Sequence, residues 1–166
     1  MPLLIEESTP TPTPVPWKYQ RECEYPDQYT VGQMIWRSNA CGDKVHGQFG
    51  CASSSGWPAK SGYVEYCGIA VARDGQLFLA IRYSKHGSPG WIQVYMDDES
   101  TPRASFQATG ADWNQFKWTA PMSLGNVGSG THCIRLYTDG QKYGVADLDK
   151  FCLASYSPDT LGCSCD

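Results

Sequence analysis

GYVEYCGIAVARDGQLFLAIRYS, residues 62–84, holds two apolar runs around a tight reversal. YVEYCGIAV at 63–71 is rich in β-branched and aromatic residues, the composition of a strand on a half-buried surface. Strict alternation would put Tyr63, Glu65, Cys67, Ile69 and Val71 on one face. Arg73-Asp74-Gly75 is a hairpin turn signal. QLFLAIRY then alternates Leu77, Leu79 and Ile81 against Phe78, Ala80 and Arg82. No helix period fits either run.

The same rhythm continues outward. WIQVYM at 91–96, RASFQA at 103–108, NQFKWTAPM at 114–122, HCIRLYT at 132–138 and LDKFCL at 148–153 read as further short strands, with Gly, Asp and Pro between them. Gly125 to Gly130, GNVGSG, precedes a strand rather than a helix and reads as a turn. This pattern predicts an all-β domain, an antiparallel β-sandwich of the jelly-roll kind. The segment 37–62, rich in Ser, Gly, Asn and Cys, reads as one long functional loop.

Upstream, STPTPTPVP at 8–16 is an extended spacer, because proline fixes φ and donates no ladder hydrogen bond. The domain division expected is a tail and Thr/Pro linker at 1–16, the sandwich at 17–155 and a cysteine-bearing tail at 156–166. A linker implies a covalently attached catalytic or surface domain and a longer natural protein. The start MPLLIEE lacks the basic region of a signal peptide, and no apolar run reaches the ~18 residues of a membrane span.

With a net charge of −4, nucleic acid and anionic membranes are poor partners, and polyanionic glycans are disfavoured unless calcium bridges the charges. Six Trp and ten Tyr exceed what one small core needs, which leaves some for a surface. Eight cysteines point to an oxidised, secreted protein. They permit 105 pairings, and no C-x-x-C spacing suggests zinc. Cys41 and Cys51 bracket one loop. Cys163 and Cys165 are placed to tie the tail to the body, to Cys23 or Cys152. No nucleophile, metalloprotease or phosphate-loop motif occurs. His46, His86 and His132 lack ligand spacing, and His132 reads as structural. Asp97 and Asp98 sit in a turn rather than across a cleft. The chain reads as a binding domain rather than an enzyme.

GYVEYCGIAV, GQLFLAIRYS, IQVYMDD, TGADWNQF, SGTHCIRLY and DLDKFCL occur in that order. The series resembles the carbohydrate-binding modules of family 6 and the related families 35 and 36, over residues 18–153. The departures are the eight cysteines, the long loop and Asp147 where Asn is common. The resemblance implies a polysaccharide or oligosaccharide ligand, a monomer, and a module that targets a linked enzyme or surface protein to a glycan. An extracellular adhesion domain with a protein partner is the alternative. It further implies that Trp57 and Trp113 wall a slot at the loop end, with Asp147 on its floor accepting hydrogen bonds from the sugar. Asp139, nearby, belongs to an Asp-Gly turn, so a second calcium at Asp147 is not expected. Trp36 and Trp91 are expected to pack or lie exposed. Glu22 and Glu24, in RECEY at 21–25, and Asp149 are implied as ligands of a structural Ca²⁺ joining the first and last strands, with carbonyls of the 37–46 loop completing the shell. Cys67 and Cys133 fall on strands that pair in that family.

Overall fold

Val64 and Tyr66 are buried on one side of a strand, and so are Ile69 and Val71, although alternation would put the second pair opposite the first. A computed structural model, which describes residues 16–156 and 161–165, gives the reason. Strand β5, Gly62–Val71, shifts register against its neighbour between Tyr66 and Ile69, with Gly68 at a φ of 74°. The bulge adds one residue and flips the faces. Tyr63 and Glu65 therefore point away from the core, contrary to the grouping drawn from strict alternation.

All described ladders are antiparallel. The strands are β1 (Lys18–Glu22), β2 (Gln28–Tyr29), β3 (Gln33–Trp36), β4 (Lys44–Phe49), β5, β6 (Gly75–Met96), β7 (Ala104–Trp118), β8 (Met122–Val127), β9 (Gly130–Thr138) and β10 (Ala146–Ala154). The order is β2-β5-β9-β6-β10-β4-β3, with β1 on β10 and both β7 and β8 on β6. Strand β6 joins two expected strands. Residues 78–84 pair with β10 and 93–96 with β9, so β6 carries the sheet from one layer to the other. Register shifts near 83–85 and 87–90 mark the bend. The curled sheet buries Leu79, Ile81, Leu148, Phe151 and Leu153 of one layer against Val64, Ile92, Ile134 and Leu136 of the other, which makes the expected all-β sandwich.

Three other readings change. The turn at Arg73–Gly75 does not close a hairpin, because β5 pairs with β2 and β9 while β6 starts on β8 and β10. It arches between layers, and Asp74 accepts a hydrogen bond from the Ser129 amide at 2.6 Å. The segment 37–62 is not one loop. Residues 44–49 form β4, between β3 and β10, and only 50–61 remain as a long connection. Gly125 to Val127 belong to β8 rather than to a turn.

Three disulfides join Cys41 to Cys165, Cys67 to Cys133 and Cys152 to Cys163. Cys41 thus pairs with the tail rather than with Cys51; Cys51 and Cys23 are buried thiols. Burial raises the pKa of both thiols. The described tail covers the outer face of the first layer, where Leu161 packs with Ala80, Cys152 and Ala154. The expected linker at 1–16, Pro16 apart, lies outside the described residues, as does part of the tail.

His132 is structural, as expected. Its Nδ1 lies 2.8 Å from Asp97 Oδ2 and its Nε2 2.8 Å from the Gly128 carbonyl. Only an imidazolium donates at both nitrogens, so these acceptors raise its pKa, the Asp97 bond most. A raised folded-state pKa contributes stability below the unfolded value of about 6.5, and that contribution is lost as pH rises through the folded value. Melting temperature should therefore fall on going from about pH 6 to pH 9, and His132→Gln should flatten this slope. An unchanged slope in the variant would assign the pH dependence to another group.

Candidate functional site

At one end of the sandwich the 50–61 connection, the 139–145 loop and the β6–β7 bend meet around a cleft of about 670 Å³. Trp57 and Trp113 both border it, together with Arg37, Gln48, His86, Gln141, Lys142 and Tyr143. Each indole is partly exposed.

The backbone beneath these rings is unusual. Five non-glycine residues have a left-handed φ among the described residues, and three of them border this cleft: Gln48 at 55°, Trp57 at 47° and Tyr143 at 67°. Such conformations cost of order 1 kcal/mol or more each and persist where surrounding contacts enforce them, often at functional sites. Here the contacts are visible. The Trp57 amide donates to Ser54 O at 3.0 Å and the Tyr143 amide to Trp57 O at 2.9 Å. Gly50 O accepts from both Lys60 and Gln141 amides, at 3.1 and 2.8 Å, which binds the two loops together. Gly140, at φ 90°, lies so close to Lys60 that a Cβ would meet its backbone at 2.5 Å. Ser84 Oγ donates to Trp113 O at 2.6 Å and holds the opposite wall.

Asp147 does not border the cleft. It is 0% exposed, and its carboxylate accepts from Arg37 Nε at 2.6 Å and from the Gln48 amide at 2.8 Å. Burial raises its pKa against the opposing pull of Arg37. It therefore lies behind Arg37, which faces the cleft in its place. Asp139 accepts from Tyr137 OH at 3.2 Å. Trp36 and Trp91, 69% and 58% exposed, border other surfaces. Arg37, His86 and Tyr143 were not expected here. No spacing links them, and only the meeting of three distant loops joins them.

Of the three acids expected to hold a metal, Glu22 faces Lys150 across the β1–β10 ladder, and the oxygens of Glu22, Glu24 and Asp149 do not all lie within 4.8 Å of one another. Asp149 accepts from the Cys41 amide at 2.9 Å and pairs with Arg82 Nη1. Glu22 Oε1 lies 3.1 Å from Lys150 Nζ. Burial raises Asp149 to about 6 and raises Glu24 as well, and the charge of Glu22 pushes both further. Glu22 Oε2 and Glu24 Oε2 are buried without a hydrogen-bond partner. The two orphaned glutamate oxygens are hard donors of the kind Ca²⁺ takes, whereas Asp149 would have to exchange Arg82 for an ion to join them.

No family model matches the sequence, and no curated protein does. Solved structures match it in fold. The C-terminal family 6 module of LamC, a marine laminarinase from Zobellia galactanivorans, is 14% identical with a TM-score of 0.63, over 82% of this chain and 98% of its own. A family 35 carbohydrate-binding module from Clostridium thermocellum is 16% identical with a TM-score of 0.63, over 82% and 98%. The exo-β-1,3-galactanase of Phanerochaete chrysosporium is 19% identical with a TM-score of 0.60, and the 82% of this chain that aligns spans 29% of that enzyme. The fold expected from the motif series is the fold observed.

Proposed function

We propose that this chain is a non-catalytic carbohydrate-binding domain, secreted and monomeric, that attaches a linked enzyme or surface protein to a polysaccharide. The observation that carries this reading is the cleft bordered by Trp57 and Trp113, whose loops are hydrogen-bonded to one another. A pyranose has apolar C–H faces and a hydroxyl rim. Indoles cover the faces, while Gln48, Gln141 and Arg37 offer hydrogen bonds to the rim. No carboxylate borders the cleft among the described residues, and glycoside hydrolysis needs two. The fold neighbours include carbohydrate-binding modules. Three disulfides fit an extracellular setting. Few sugar atoms would be buried, so affinity should be about micromolar to millimolar.

The test is retention in native gels cast with soluble polysaccharides, followed by calorimetry on a glycan panel. Absence of retention on every glycan would overturn the reading in favour of an adhesion domain with a protein partner.

The same reading includes a structural Ca²⁺ held by Glu22, Glu24 and Asp149, which would neutralise repelling acids and join the first and last strands. Chelation with excess EGTA is expected to lower the melting temperature by several degrees, about 1–3 kcal/mol of stability. Superimposable melting curves with and without EGTA would remove the metal from the proposal.

A further inference from the structure

The cleft carries a charge that the chain as a whole does not. The formal net charge is −4, yet Arg37, His86 and Lys142 border the cleft and no Asp or Glu does among the described residues. Four other arginines are matched by acids, Arg21 by Asp27, Arg82 by Asp149, Arg103 by Glu99 and Arg135 by Glu65, and Arg37 is matched by Asp147 through Nε alone. Lys142 has no such partner among the described residues; its Nζ stands 4.9 Å from the centre of the Tyr143 ring. Arg37 uses only Nε on Asp147, and its two terminal nitrogens have no acceptor among the described residues. Its Cζ lies 6.0 Å from the centre of the Trp113 ring. Buried Lys85 stands behind, with Nζ 5.4 Å from the same ring and donating to Gly144 O at 2.8 Å. His86 stacks obliquely on Trp113, with ring centres 6.4 Å apart. Among the described residues Asp147 is the only acid ion-paired to any of Arg37, Lys85 and Lys142, which leaves a surplus of positive charge around one sugar-sized space.

We propose that the cleft takes a glycan residue bearing an anionic substituent, a carboxylate or a sulfate ester, held by the outer edge of Arg37 and by Lys142. This rests on the glycan-binding reading and names the ligand class within it. Asp147 fixes the Arg37 fork from behind, so its two free nitrogens are presented without loss of rotamer freedom, and a guanidinium edge matches two oxygens of either anion. The neighbouring aromatic rings exclude water and strengthen the attraction. The acidic remainder of the surface opposes it weakly, since charges beyond about 8 Å are screened at physiological ionic strength. The expectation that polyanions are disfavoured averaged over the whole surface and missed this concentration.

The test compares a polyuronate with the same polymer after reduction of its carboxyls to alcohols, and a sulfated galactan with its desulfated form. Binding is measured in EGTA, so that a bridging calcium cannot contribute, with melting curves taken in the same buffer. At least one acidic form should bind about tenfold more tightly than its neutral partner and lose that margin as salt rises. Which pair shows the margin identifies the anion. Lys142→Gln and His86→Gln, both at exposed positions, should each shrink the ratio of acidic to neutral binding at unchanged melting temperature. Arg37→Gln should shrink it most, but it leaves Asp147 buried without its cation, so Lys142→Gln is the deciding variant. Equal affinity within both pairs, with neutral glycans still retained, overturns the charge proposal and leaves the glycan reading standing. A margin that appears only when calcium is restored, at unchanged fold, also overturns it. Failure to retain any glycan overturns the reading beneath.

Discussion

Trp113→Ala is expected to remove detectable glycan binding while the domain stays folded. Trp113 borders the cleft and has His86 against its ring, and on the proposed reading it is the rigid anchor of the sugar. Truncating such an anchor costs about 2–4 kcal/mol of binding, roughly 30- to 900-fold. From a starting affinity of about micromolar to millimolar, little measurable retention would remain. Stability should change far less. The indole is only partly buried, and the hydrogen bond from Ser84 goes to the Trp113 carbonyl, which the substitution keeps. A loss of about 1 kcal/mol, or 2–4 °C, is expected. Trp57→Ala should weaken binding strongly, and alanine also sits less comfortably than glycine at a φ of 47°. Trp36→Ala is the control, because Trp36 lies on another surface. Affinity electrophoresis and thermal melting measure both quantities. Wild-type retention by the Trp57→Ala, Trp113→Ala double variant would move the site to another face of the molecule.

The second large effect concerns the tail. The Cys41–Cys165 disulfide closes a span of 124 residues. Cross-linking so long a loop removes about 4–5 kcal/mol of unfolded-chain entropy in the simple polymer account. Cys165→Ser should therefore lower stability by a few kcal/mol. The effect should extend beyond the tail, because the Cys41 amide holds Asp149 and the same connection begins at Arg37 of the cleft. Denatured, unreduced protein should titrate two thiols, Cys23 and Cys51, and the variant three. In native protein neither wild-type thiol should react, since both are buried. A variant as stable as wild type, or a wild type with more than two thiols, would refute the pairing.

Trp57 and Trp113 were legible because large aromatics stand at motif positions in segments too polar to need them for a core. The adjoining Arg37 was not, because nothing in the sequence around it distinguishes a cleft arginine from a surface one. Asp147 was expected on the floor of the slot and instead lies buried behind Arg37. A carboxylate near a rim can meet a ligand or support the group that does, and the choice depends on which side chain reaches across from 110 residues away. Glu22, Glu24 and Asp149 illustrate the reverse. The nearness of two acids in the chain is a sequence fact, although β1 ends at Glu22 and leaves Glu24 beyond it, and both keep a partnerless buried oxygen.

Alternating apolar runs broken by Gly, Asp and Pro determined by themselves that this chain makes antiparallel strands, since period-two burial admits no other regular structure. The cysteine count likewise pointed to disulfides, and six of the eight cysteines form three. Which strands pair was decided only in three dimensions. The two halves of residues 62–84 look like a hairpin, yet each pairs with strands far along the chain, because burying both layers against one another outweighs closing a local turn. The bulge at Gly68, the joining of two runs into β6 and the pairing of Cys41 with Cys165 share that cause. Local pattern states which faces must be covered, and only the packed sandwich states by what.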